Sequence, residues 1–109
     1  MPPIEIGQDI ELHDKDGRDL GRFTVRQFQD VVVIGAFTPT PAFEQIRQVF
    51  ADFERCVNNQ EFSFLDEMCD RIAALGIYGR SGRDTILMDD LQICFECQTN
   101  ENASFRPVS

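Results

Sequence analysis

Arg80 and Arg83 stand in the stretch YGRSGRD, residues 78–84, where a pair of guanidinium groups on a glycine-punctuated segment could hold a carboxylate or phosphate by bidentate contacts. A nucleotide-type phosphate loop needs a strand, then glycines, then Lys with Ser or Thr at the mouth of a helix, so that backbone amides and the helix dipole face the anion. Here the order is reversed and the lysine is missing. The stretch follows an expected helix C-terminus and leads into a strand, so it reads as a solvated connecting loop before it reads as an anion site.

Cys94 and Cys97 make a C-x-x-C, a spacing used for zinc and for redox chemistry. On a strand, positions three apart face opposite ways, so the sulfurs should diverge. A zinc ribbon would need a second ligand pair, and Cys56 and Cys69 fall on different expected helices without knuckle spacing. All four are read as structural cysteines. His13, the only histidine, has Asp14 beside it, but neighbours on a strand point apart, so a surface histidine is the simpler account. A histidine-based triad would have to be built on His13 alone, and no catalytic set, metal site or cofactor motif emerges.

Carboxylates are more numerous. Asp89 and Asp90 read as a turn between strands, and Asp66 and Asp70 share a helix face at four-residue spacing, with Glu67 beside them. Such a face is a solvated surface by default, since a hard-metal site needs several oxygens in a shaped loop. Phe62 and Phe64 flank Ser63 at the entrance of the same helix and cannot both point the same way. An exposed Phe beside Glu61, Asp66 and Glu67 would make an aromatic anchor with an acidic rim, a composition suited to binding a protein.

The chain has 109 residues and a net charge of -9, with basic residues outnumbered in every third of its length. Nucleic-acid binding draws affinity from cations that neutralise phosphates, so this distribution argues against it, and anionic membrane surfaces are disfavoured for the same reason. A protein partner with a basic surface would be attracted. The N-terminus lacks a basic start and an apolar run, and no stretch is long and apolar enough to span a bilayer, which makes a cytoplasmic protein with reduced thiols the expectation. Ten Phe and no Trp predict a phenylalanine-rich core.

The elements that would position these residues follow from periodicity. IELHDKDGRDLGRFTV predicts a hairpin turning at Asp16 and Gly17, with Ile10 opposite Phe23, Leu12 opposite Gly21 and Asp14 opposite Asp19. The apolar run from Val31 to Phe37 predicts a buried strand. Thr40 and Pro41 open a helix with a stripe of Phe43, Ile46, Phe50, Phe53 and Val57. A second helix starts at Ser63, carries Leu65, Met68, Ile72 and Leu75, and stops at Gly76. The rest predicts two strands or one long bulged strand over TILMDDLQICFEC, then a short edge strand at SFRPV.

The fold expected over residues 1–109 is a single compact α+β domain. It has an antiparallel sheet of four to six strands in the order ββ-β-αα-β(β)-β, with an αα-hairpin packed on one face over Val31–Phe37. An exposed terminal edge strand would permit a homodimer by sheet extension. In size and charge the chain is similar to small acidic bacterial proteins that inhibit a basic partner, such as toxin-immunity proteins, a likeness that no motif carries. The function expected first is therefore a non-enzymatic protein-interaction module, immunity-like in character, that uses Glu61, Phe62, Phe64, Asp66, Glu67 and Asp70. The alternatives are an anionic-ligand or catalytic domain built on Arg80 and Arg83, and a structural homo-oligomer.

Overall fold

The computed structural model of the protein describes residues 4–94 and 101–108. Strands β1 (Asp9–His13), β2 (Asp19–Gln29) and β3 (Val32–Pro39) are followed by a 3-10 turn (Pro41–Gln45), helix α1 (Arg47–Asn58), a second 3-10 turn (Phe62–Phe64) and helix α2 (Leu65–Ala73). Strands β4 (Tyr78–Ser81), β5 (Asp84–Ile93) and β6 (Ala103–Pro107) complete the chain. The mixed helix and strand content and the antiparallel pairing are as expected, but the sheet is not open. It closes into a barrel in the order β1-β2-β3-β6-β5-β4, with β4 returning to pair with β1.

Closure has a visible cause in the long strands. β2 has 11 residues and slips register between Val25 and Gln27, and β5 has 10 residues and slips between Asp89 and Gln92. Each bulge bends its strand and increases the twist, which curls the sheet until its ends meet. Every described strand is then hydrogen-bonded on both sides, so the edge expected at SFRPV is an interior strand between β3 and β5. A barrel of this kind has no edge to offer for sheet-extension pairing.

Inward-facing residues alternate along each strand and fill the barrel. Ile10, Leu12, Phe23, Val25, Val33, Ile86 and Phe105 are all almost fully buried. Phe23 and Phe105 meet edge to face with ring centroids 5.1 Å apart, a favourable quadrupole arrangement. Gly35 is required there by space: a Cβ would lie 2.1 Å from the Thr24 carbonyl oxygen and 2.7 Å from the Phe23 ring. Gly79 serves the same purpose on β4, where a Cβ would come within 2.6 Å of Ile10. YGRSGRD is therefore a hairpin of β4 and β5 turning at Gly82, with Gly79 in the core, rather than a solvated loop.

The helical segment plugs the barrel instead of lying across β3. Phe43, fully buried, packs on Phe37 of β3 and Phe50 of α1 with centroids 5.1 and 5.7 Å apart, and Ile46, Phe50 and Ile72 join the barrel core. Contacts of the helices with the sheet run to β5, and the Pro41–Gln45 turn rests on β2, so the expected cover over Val31–Phe37 is not what forms. The apolar stripes explain this, because the rings at Phe43 and Phe50 are large enough to continue the barrel core axially. Of the stripe expected for α1, Val57 is exposed and Cys56 is buried in its place. Neither helix has a side-chain cap, since Thr40 Oγ donates to the Asp19 carbonyl and both helices are entered through 3-10 turns.

The hairpin register is the expected one at Ile10–Phe23 and Leu12–Gly21, but His13, not Asp14, stands opposite Asp19 because of a bulge after Leu12. Asp14 turns inward and is only 4% exposed. Its carboxylate accepts the Asp16 and Arg18 amides at 2.9 and 3.0 Å and the Arg18 guanidinium at 2.8 Å. Burial would raise its pKa, but these donors and the Arg18 charge outweigh burial and hold it below the ordinary 3.8. The unfolded chain therefore binds this proton more readily than the folded one. The stabilisation is complete above the ordinary value and is lost as pH falls through the lower folded-state value. Asp14→Ala should cost about 1–3 kcal/mol near neutral pH by stranding the amides it satisfies. Urea melts between about pH 5 and about pH 3 should show a shallower loss of stability in Asp14→Asn than in the wild type; parallel slopes would refute this role.

Candidate functional site: an acidic face on the second helix

Entry to α2 brings together most of the residues singled out above. Phe62 and Phe64 are both exposed, at 62% and 50%, because the 3-10 turn Phe62–Phe64 projects them outward while Leu65, Met68 and Ile72 carry the inward contacts. Asp66 and Glu67 lie in the first turn of α2, where the positive end of the helix dipole favours carboxylates. Among the described residues no cationic side chain pairs with Glu61, Asp66, Glu67 or Asp70. Two carboxylates elsewhere are compensated: Asp52 is shared by Arg55 and Arg71 at 2.7 and 3.5 Å, and Asp14 is held by Arg18.

The face continues into a groove of about 350 Å³ between α2 and β5. Its floor is apolar, with Phe53, Ile72, Met88 and Leu91, and Asp70 lines one wall while Asp89 and Asp90 line the other. Asp89 and Asp90 are not a turn between strands. They open the bulge of β5, and Asp90 adopts a left-handed backbone with φ of 50°. The sequence signal is a change of parity: Ile86 and Met88 share one phase, Leu91 and Ile93 the other, which a bulge and a two-residue turn both produce. Arg106 of β6 pairs with Asp90 at 3.0 Å, so the compensation on that wall goes to Asp90.

Cys69, which sequence reasoning set aside, is a free and exposed thiol on the rim of this groove. Partial desolvation raises its pKa above the ordinary 9.0, and repulsion by Asp90, Asp66 and Asp70 pushes it further up. The thiol therefore senses a carboxylate field that converges from α2 and β5, and it is a weak nucleophile at neutral pH. Cys56 is free and buried. Cys94 is disulfide-bonded, which departs from the expectation of four reduced thiols. Cys94 lies just past the end of β5, so the strand alternation that argued against a pairing does not apply to it; Cys97 lies outside the described residues.

The arginines of YGRSGRD are not brought together. Arg80 points outward from β4 opposite Glu11 of β1, whereas Arg83 sits in the following turn. Arg80 instead shares a hollow of about 440 Å³ with Arg22, alongside Asp9, Glu11 and His13. Its two guanidinium groups are offset by two carboxylates. His13 stacks on Tyr78 with centroids 5.6 Å apart, and its Nε2 lies 3.5 Å from Glu11. Among the described residues no group of three or more His, Cys, Asp or Glu is arranged to hold a metal ion, and no helix is long and apolar enough to cross a membrane.

Comparison with protein-family models, curated proteins and solved structures yields no match. The chemistry of the face rests on its own geometry, and the thiol offers a direct measure of it. The pH–rate profile for alkylation of Cys69 by iodoacetamide, with the labelled residue identified by mass spectrometry, should have its midpoint above the ordinary value of 9.0. In Asp66→Asn/Asp70→Asn that midpoint should move down; an unmoved midpoint would show that these carboxylates do not act on the groove.

Proposed function

We propose that the protein is a non-enzymatic interaction module that docks a basic protein partner on the aromatic and acidic face of α2. The observation that carries this reading is the exposure of Phe62 and Phe64 beside carboxylates that have no cationic partner among the described residues. Exposing large rings costs hydration free energy, of the order of 25 cal/mol per Å² of apolar surface left in water. A partner that covers the rings recovers it, and long-range attraction from Glu61, Asp66, Glu67 and Asp70 steers a positively charged surface toward them. The net charge of -9 reinforces the steering from all sides. An inhibitor of a basic protein, of the immunity type, is one form such a module takes.

The reading that an anionic ligand binds at Arg80 and Arg83 draws less support, since Arg80 shares its hollow with Asp9 and Glu11 and Arg83 does not line it.

The test begins with affinity capture at low salt and continues with the identified partner in purified form. Titration calorimetry should give binding that weakens as salt rises, and Asp66→Lys/Asp70→Lys should reduce affinity by an order of magnitude or more, about 1.4 kcal/mol. Phe62→Ser should weaken binding by about 1–2 kcal/mol without changing the salt slope. Binding that ignores both salt and the charge reversal would contradict the proposed mechanism.

A further inference from the structure

Among the hollows of the surface, the groove between α2 and β5 has a distinctive division of chemistry. The floor is apolar, and two carboxylates with no cationic partner among the described residues line it from different elements, Asp70 from the helix and Asp89 from the strand. We infer that this groove is the receptor for an arginine side chain of the basic partner, with the methylene stem on Ile72, Met88 and Leu91 and the guanidinium between Asp70 and Asp89. This rests on the interaction reading above and specifies its central contact.

Several features favour arginine as the occupant. A bare cation would need converging oxygen ligands, and no metal-holding group forms among the described residues. An ammonium group is a compact, strongly hydrated point charge, whereas a planar guanidinium presents donors on several edges and is less costly to desolvate. Carboxylates from two different elements suit such a fork. The apolar floor suits the stem, which long cationic side chains bury while the head stays polar. The native pairing of Arg106 with Asp90 at 3.0 Å shows that this rim already accepts a guanidinium from the neighbouring strand. A groove of about 350 Å³ is of the size that takes a side chain rather than a folded element.

The groove also differs from a merely solvated acidic patch in its backbone. The β5 bulge carries a non-glycine residue, Asp90, at φ of 50°, and it changes the phase of the strand so that Met88 and Leu91, three positions apart, both line the same groove beside Asp89. Bulges of this kind re-aim side chains.

The test uses the whole protein and a blocked peptide, acetyl-Leu-Arg-Leu-amide, with its citrulline counterpart as a neutral isostere of the same shape. Titration followed by amide and methyl NMR shifts should show saturable movement at Cys69, Met88 and Leu91 with the arginine peptide and none with citrulline. Asp89→Asn, which alters the groove but not the aromatic entrance, should weaken the arginine peptide about threefold, the size expected of one lost carboxylate at an exposed site. Phe28→Ser, an exposed aromatic change on β2 outside the groove, should leave that affinity unchanged. Equal binding of the citrulline peptide, or arginine-induced shifts confined to residues outside the groove, would overturn the inference. A partner that still depended on Phe62 and Asp66 would then leave the interaction reading standing without it.

Discussion

The position of the whole helical segment depends on the turn built around the buried Asp14 carboxylate. By gathering the Asp16 and Arg18 amides and the Arg18 side chain, Asp14 fixes the tip of the β1–β2 hairpin. That tip then receives both ends of the helical segment. At the start, Thr40 donates to Asp19 and Arg18 reaches Gln45 at 2.6 Å; at the end, the Lys15 amide donates to the Leu75 carbonyl at 3.2 Å. The helices make few other contacts with the sheet besides β5 and the axial phenylalanines, so the turn anchors them at both ends. A buried carboxylate with three donors is costly to disturb, which gives the anchor its strength.

From that anchor the acidic face follows. With both ends of the segment tied to one hairpin tip and Phe43, Phe50 and Ile72 drawn into the barrel core, α2 has its inward side committed. Its remaining faces carry Asp66, Glu67 and Asp70, set beside the bulge of β5 with Asp89 and Asp90. Desolvation and the charges of Asp90, Asp66 and Asp70 together raise the pKa of the Cys69 thiol beside them, while Arg71 pairs with Asp52 and Arg106 with Asp90. A cationic surface that pairs with these carboxylates and covers the rings of Phe62 and Phe64 has a favourable electrostatic and hydrophobic term at the same place.

Much of this was legible in the residues, and the misses have physical reasons. Helix stripes at Phe50, Met68 and Ile72 and the register of Ile10 with Phe23 follow from periodicity, which local sequence records faithfully. Closure of the barrel does not, because it depends on the pairing of β1 with β4 across the whole helical segment, and strand alternation is the same in an open sheet. YGRSGRD looked like a loop because glycine weakens a strand locally, yet Gly79 is there for the close approach of Ile10. One exposed ring at Phe62 or Phe64 was legible from their opposed directions, whereas exposure of both follows from the 3-10 turn that carries them. The groove was not, since Asp70 and Asp89 come to line one groove only after α2 is laid beside β5.

The central claim is that a basic protein covers the rings at the mouth of α2. Its most direct test replaces Phe62 by the photoreactive p-benzoylphenylalanine and irradiates cells that express the protein, with Phe28 and Val31 of the opposite hairpin as exposed controls. The account predicts a cross-link from position 62 to one basic protein, absent from positions 28 and 31 and lost when Asp66→Lys/Asp70→Lys is added. No cross-link at position 62, or the same adduct from all three positions, would contradict it.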